Sequence, residues 1–398
     1  MTGEPEPAAA EVPVPFRDEG PFGLAAAGHD LVFLPGGSDR LEALLGLIDR
    51  ARESLRLCFY IFRNDEAGAK VRDALAAAAR RGVDTRLIVD GFGAAADEDS
   101  PFFAPFREAG GHYHVFAPRF GRRYLIRNHQ KMAIADGRRA LVGGFNIEQS
   151  YFDPPEADGW RDLGVLVEGP VVDDLLRWYG ALEGWLSNPR QQLLAMRRLV
   201  RRWTPAPGRA SLLIGGPTEA LSGWSRAIGQ DLRGAGQVDM VMAYFSPSAG
   251  MLRRIARIGR QHGARLVLAG RSDNAATIGA TRSLYTYLLK RGVRIWEFSP
   301  CKLHTKLIVI DDVTYIGSAN FDMRSLFLNL ELMIRIEDAG LAARMRAFVA
   351  GHLPHSQPIL LAEHRRRATV WNRLRWGLSW FLVAVVDYTV SRRLNLGL

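Results

Sequence analysis

Apolar residues recur at helical spacing through residues 41–51 and then crowd into an unbroken run at 57–62. That order predicts an amphipathic helix followed by a strand buried on both faces. Ser38 or Asp39 stands where the helix cap is expected. A second helix should close at Arg81-Gly82, where glycine suits the left-handed position after a helix, and residues 85–90 should form the next strand. Strand, helix, strand implies two parallel strands in one sheet. The same events return later in the chain. Gly215-Gly216 answers Gly36-Gly37, the run 240–245 answers 57–62, His262-Gly263 answers Arg81-Gly82, and residues 265–268 answer 85–90. Phe116-Ala117-Pro118 and Phe298-Ser299-Pro300 then each lead into a histidine-containing strand hairpin. The repeat predicts an α/β fold of two similar halves, each a mixed β-sheet flanked by helices, with both hairpins meeting at one central cleft.

Residues 185–209 interrupt the pattern with Pro189, Pro205, Pro207 and six arginines, as a linker or an exposed basic helix would, which places the boundary between the halves near 205. The opening is rich in Glu, Pro and Ala and lacks the basic start and apolar core of a secretory signal, so residues 1–20 are expected to be a disordered tail. The halves are then 21–205 and 206–355. Residues 356–398 form a basic, Trp-rich segment. Its Arg365, Arg366, Arg367, Arg373 and Arg375 stand among Trp371, Trp376, Trp380 and Phe381, and an apolar run closes at Arg392 and Arg393. That composition suits an anchor on an anionic lipid surface, or else a buried terminal helix. No stretch reaches the roughly 20 apolar residues needed to cross a bilayer.

Charge narrows the partner. At 398 residues the formal net charge is +10, which favours an anionic membrane surface or nucleic acid without choosing between them. The two cysteines, Cys58 and Cys301, lack the spacing of a zinc site or redox couple, and a reducing compartment is the plain reading.

The hairpins carry the candidate chemistry. The first reads His129-Gln130-Lys131, with Asp136 after it and then Gly143-Gly144-Phe145-Asn146; the second reads His304-Thr305-Lys306, with Asp311 and then Gly317-Ser318-Ala319-Asn320. Alternate residues of a strand share a face, so each His points with its Lys into one space and the residue between points away. Backbone donors at Gly144 and Ser318 and the amides of Asn146 and Asn320 complete a phosphate cradle around one phosphorus. Only five lysines stand against 47 arginines, yet two of the five occupy these equivalent positions, where a compact point charge is wanted. The motif offers no carboxylate cluster spaced for two metals, so neither metal nor cofactor is expected. Asp136 and Asp311 count with the catalytic set, read as hairpin and ion-pair supports where each strand gives way to a turn. Six residues separate Asp136 from Gly143 and five separate Asp311 from Gly317, so the second hairpin should be shorter or bulged.

From about residue 29 to about 335 the chain resembles the phospholipase D superfamily, each half being phospholipase D-like. Its flanking strings look most like bacterial cardiolipin synthases: Trp160-Arg161-Asp162, Glu168-Gly169-Pro170, and Asn320-Phe321-Asp322-Met323-Arg324-Ser325 with Asn329 and Glu331. Glu148-Gln149-Ser150 departs from the acidic pattern usual there. The resemblance implies that His129 attacks phosphorus, that His304 serves as acid and then base, and that Asp162 and Glu331 hold the two imidazoles. It implies transfer of a phosphatidyl group from one phosphatidylglycerol to another, giving cardiolipin. The alternatives are phospholipid hydrolysis, a nuclease, or an idle scaffold binding anionic lipid, with nucleic acid the less favoured partner. The expected location is peripheral, at the cytoplasmic side of the bacterial inner membrane; no oligomeric state is indicated. Trp160, Tyr124, Phe120 and Phe321 are candidates for acyl or headgroup contact.

Overall fold

The computed structural model describes residues 16–95, 97–117, 126–188, 193–218 and 221–386. Two eight-stranded sheets organise them. In the first, Ser54–Phe59, Asp84–Asp90 and His112–Phe116 run parallel, and the hairpin Met132–Ala135/Arg139–Gly143 continues the sheet antiparallel through Gly164–Glu168 and His29–Leu34 to Phe22–Ala26. In the second, Val238–Met242, Ala264–Ala269 and Arg294–Phe298 run parallel. The hairpin Lys306–Ile310/Val313–Gly317 continues it antiparallel to Glu331–Glu337 and Ala210–Gly215. Setting aside the edge strands Phe22–Ala26 and Ser356–Pro358, the order is the same in both.

A strand pattern apolar on both faces must be covered on both faces. The helices Gly37–Arg50 and Glu66–Arg80 cover the outside of the first sheet, and Gly223–Gly234, Ala249–Arg260 and Ala275–Leu289 the outside of the second. Between the sheets lie Val171–Leu186 and Ala339–Gly351, whose Trp178, Leu182, Met345 and Phe348 join strand residues of both halves in one continuous core.

Several local expectations change in detail. The first helix begins at Gly37, with Gly36 at its cap and no side-chain capping bond, so Ser38 and Asp39 lie inside it. The first buried strand is Ser54–Phe59, displaced toward the N-terminus from 57–62. Gly82 has the left-handed φ of 89° expected of it, but in the second half His262 takes that conformation, at 59°. Gly263 is needed for another reason: a Cβ there would lie 2.0 Å from the Gly236 carbonyl oxygen. Of the opening tail, residues 1–15 lie outside the described residues, while Phe16 is buried against Phe298 and Asp18 pairs with Arg161 at 2.6 Å. Within the basic stretch, Leu193–Arg202 is a helix that buries Met196 and Val200. Ser356–Pro358 extends the second sheet beyond the expected boundary at 355.

Candidate active site

Two short parallel pairings join the halves. Asn128 bridges Leu330, and Lys302–Leu303 pairs with Trp160–Arg161, Leu303 opposite Arg161. In parallel pairing the residues that follow each partner are also neighbours. After Asn128 and Leu330 come His129 and Glu331; after Leu303 and Arg161 come His304 and Asp162. The backbone N–H of His129 donates to the Leu330 carbonyl at 2.9 Å, and that of His304 to the Arg161 carbonyl at 2.7 Å. Each histidine is thus fixed against the other half and meets that half's carboxylate. His129 Nδ1 lies 3.1 Å from Glu331 Oε2 and 3.0 Å from Oε1, and His304 Nδ1 lies 2.7 Å from Asp162 Oδ2. A carboxylate accepting from Nδ1–H fixes the ring proton on that nitrogen and leaves Nε2 with its lone pair.

Both histidines line one cavity of about 510 Å³, together with Asn146 and Asn320. The lysines lie beneath them, buried. Lys131 Nζ donates to the His129 carbonyl at 2.7 Å; Lys306 Nζ donates to the His304 carbonyl and sits 2.8 Å from Nδ1 of the same ring. Since the Nδ1 proton belongs to the Asp162 bond, that last contact is charge against ring rather than a second hydrogen bond. Gln130 points away, accepting from Trp178 Nε1 at 2.9 Å in the central core. The histidines themselves precede their strands, which begin at Met132 and Lys306.

Burial is the first cause of every large pKa shift here. It lowers His129 to about 4 against the pull of Glu331, and His304 to about 3, with Lys306 adding to the effect. It lowers Lys131 to about 7 and Lys306 to about 8 although Glu331 and Asp162 oppose it. Asp162 is disfavoured as an anion by burial, yet Lys306 and His304 outweigh that and leave its pKa lowered. At neutral pH the site therefore holds bare imidazoles beside an ionised Asp162, with both lysines near the edge of their charged range.

Two of the expected phosphate-binding residues do something other than expected. Ser318 does not line the cavity; its hydroxyl donates to Glu331 Oε2 at 2.5 Å. Gly144 likewise lies behind the cavity, where a Cβ would meet both Asp162 oxygens and Lys306 Cδ at 2.8 Å, so the absence of a side chain there makes room for the brace on His304. Asp136 and Asp311, counted with the catalytic set, do not line the cavity and stand as the hairpin supports that their turn positions predict. They sit at the far ends of the hairpin strands with left-handed φ of 53° and 43°. Asp136 accepts from the backbone N–H of Glu53 at 2.7 Å and of Ser54 at 2.9 Å, and Asp311 from that of Gln237 at 2.9 Å. The second hairpin is shorter, not bulged: Ile310 faces Val313 across two residues, whereas Ala135 faces Arg139 across three. Trp160 and Phe321 are buried packing residues, Trp160 with its ring 5.3 Å from that of His304. Tyr124 and Phe120 lie outside the described residues.

Sequence reasoning missed Tyr151. Its hydroxyl lies 3.4 Å from His304 Nε2 and is itself hydrogen-bonded by Asn146, whose Oδ1 accepts from the Ile61 N–H at 3.2 Å. His129 has no such partner on Nε2 among the described residues; the Tyr60 ring packs beside it, centroids 4.9 Å apart. Tyr60 answers Ala243 and Tyr244 answers Ile61 in the repeat, and the position matching Tyr151, five after the asparagine, is Ser325. Comparing the halves hides Tyr151 for that reason. Arg40 was missed as well. Buried beneath the site, it donates to the carbonyls of Asp162 at 2.9 Å, Tyr151 at 2.7 Å and Trp160 at 3.2 Å, and so ties together the loops that hold His304.

Paired sheets with two braced histidines at their junction define a phospholipase D-like enzyme. The fold is similar to the crystal structure of phosphatidylserine synthase from Haemophilus influenzae Rd KW20, with a TM-score of 0.71 at 14% identity over 94% of this chain and 97% of that one. Polyphosphate kinase from Porphyromonas gingivalis gives 0.54 at 15% identity over 88% and 55%. Residues 44–178 and 232–352 match the family described as "Cardiolipin synthase, PLD-like domain". Cardiolipin synthase A of Klebsiella pneumoniae (strain 342) is 30% identical over 377 residues, 89% of this chain and 75% of its own length. The major cardiolipin synthase ClsA of Bacillus subtilis (strain 168) is 29% identical over 363 residues, 88% and 74%. The chain belongs to this cardiolipin synthase family of the phospholipase D superfamily and is a phosphatidyltransferase.

Proposed function

We propose that the protein transfers a phosphatidyl group from one phosphatidylglycerol to the free hydroxyl of another, giving cardiolipin and glycerol, without a metal, at the membrane surface on the cytoplasmic side. The observation that carries the mechanism is the asymmetry at Nε2: without a partner among the described residues on His129, held by the Tyr151 hydroxyl on His304. His129 Nε2 attacks the donor phosphorus, and the bond from phosphorus to the headgroup glycerol oxygen breaks as that oxygen takes a proton from His304. The acceptor hydroxyl then gives its proton to His304 while its oxygen attacks the phosphohistidine, breaking the N–P bond and restoring His129. His304 gains its first proton when the phosphodiester binds. The phosphodiester brings a negative charge beside the ring, and that anion favours an imidazolium. Lys131 and Lys306 supply the fixed positive charge that a metal would otherwise bring, and Asn146 and Asn320 add amides at the cavity wall.

Acceptor choice follows from the rim. Arg127 and Arg324 line the same cavity, and the Arg127 guanidinium stands 3.8 Å over the Phe92 ring. They would hold the phosphate of the second lipid, so that a glycerol hydroxyl reaches the intermediate ahead of water. The test is product analysis with labelled phosphatidylglycerol in the presence of a chelator. Labelled cardiolipin from the wild type and a loss of at least about 10⁴-fold in His129→Ala are expected. Phosphatidic acid as the sole product would make the protein a hydrolase, and unchanged turnover in His129→Ala would remove the histidine from the chemistry.

A further inference from the structure

The helix Val370–Trp380 packs on Ala275–Leu289 through one side only. Trp376 turns inward and stacks on His364 with ring centroids 5.2 Å apart, and Ser379 presses on Gly279, where a Cβ would come within 2.6 Å of its hydroxyl. The opposite side is apolar too. Trp371, Leu374, Leu378, Phe381 and Leu382 recur there every three or four residues and are between 37% and 82% exposed with their neighbour Trp380. A helix with an inward seam has no need of a second apolar stripe facing water. Arg365, Arg366, Arg367, Arg373 and Arg375 are exposed around it. Three residues past the helix, Val383 lines the cavity that holds His129 and His304, so the stripe runs up to the mouth of the site.

We infer that this stripe is the face by which the enzyme docks on an anionic phospholipid bilayer. The aromatic and aliphatic side chains enter the boundary between headgroups and acyl chains, and the arginines rest on lipid phosphates. A headgroup then reaches His129 while its acyl chains stay in the membrane. A second copy of this chain fits the face poorly, because a two-fold contact would set each ring of arginines against its own image. The inference rests on the phosphatidyl-transfer reading for its purpose, but its test does not.

The test compares the wild type with the Trp371→Asp/Leu378→Asp variant, neither residue touching the cavity. Vesicles of phosphatidylcholine with increasing phosphatidylglycerol are sedimented with each protein, and transfer is assayed separately on short-chain phosphatidylglycerol kept monomeric. The expected result is wild-type binding that rises with phosphatidylglycerol and falls with salt, at least about tenfold weaker in the variant, with equal turnover of the monomeric lipid. Equal vesicle binding by both proteins would overturn the inference. So would a wild-type dimer that the variant splits, since the stripe would then be a contact between copies. Absence of turnover on monomeric lipid in both proteins would sink the functional reading alone, because vesicle binding is scored without it.

Discussion

A nucleophilic imidazole must be uncharged when it attacks, and the burial that lowers His129 to about 4 keeps it so far below its ordinary 6.5. The lysines work in the other direction: they serve only as cations, and burial has brought Lys131 to about 7 and Lys306 to about 8. For the free enzyme the sign follows. As pH falls through about 4 the nucleophile is protonated, and as pH rises past about 7 the cradle loses charge. Plotted as kcat/KM, activity should decline as pH rises because His304 takes up a proton on binding, and the decline should steepen into an alkaline limb near 7 to 8 as the lysines lose charge. In kcat that limb should lie higher because a bound phosphate anion holds the ammonium groups charged. An alkaline limb near 10.5, the ordinary lysine value, would show that Lys131 and Lys306 are not held as the structure has them. Tyr151 is open to a separate measurement. One neutral hydrogen bond contributes about 1 kcal/mol, so Tyr151→Phe should lower kcat roughly fivefold and leave KM nearly unchanged, because the lost bond is to His304 rather than to lipid. A wild-type kcat would make the hydroxyl a spectator.

Each hairpin holds its chemistry at one end and its anchor at the other. Asp136 lies past the strand that follows His129 and accepts three successive backbone N–H groups, those of Arg52, Glu53 and Ser54, which locks the turn to the start of the neighbouring strand. Replacing it with Ala strips those bonds and leaves a left-handed residue without a side chain suited to it. Asp136→Ala should cost about 1–2 kcal/mol of stability, read as a lower Tm, with kcat close to wild type at a temperature where both are folded. A collapse of kcat with an unchanged Tm would return Asp136 to the reaction. The same hairpins show what a sequence can reveal. The alternation of His and Lys and the paired βαβ units were legible, because strand and helix periodicities act locally. The positions of Gly144 and Ser318 were legible as motif members but not in their duties. One yields space to Asp162 and the other bonds Glu331, partners 18 and 13 residues further along the chain, which the spacing of the motif does not place.

Across the whole molecule the repeat could be read from one dimension, but the exchange of carboxylates could not. Asp162 belongs to the same half as His129 and Glu331 to the same half as His304, and only the bridges at Asn128 and Leu303 cross them over. That crossing has a thermodynamic consequence. The core between the sheets mixes residues of both halves, and each histidine is completed by the other half, so neither half keeps its site or its inner face when the other unfolds. Unfolding should therefore be a single cooperative event, with calorimetric and van't Hoff enthalpies equal, even though chains of this length commonly unfold domain by domain. Trp178 gives the sharper test. It is buried in the central layer and bonds Gln130, so Trp178→Ala should cost about 3–5 kcal/mol and lower the one transition as a unit. If the variant instead splits the curve, with residues of the second sheet melting at the wild-type temperature, the halves are independent domains, and the shared core contributes little to holding the two histidines over one phosphorus.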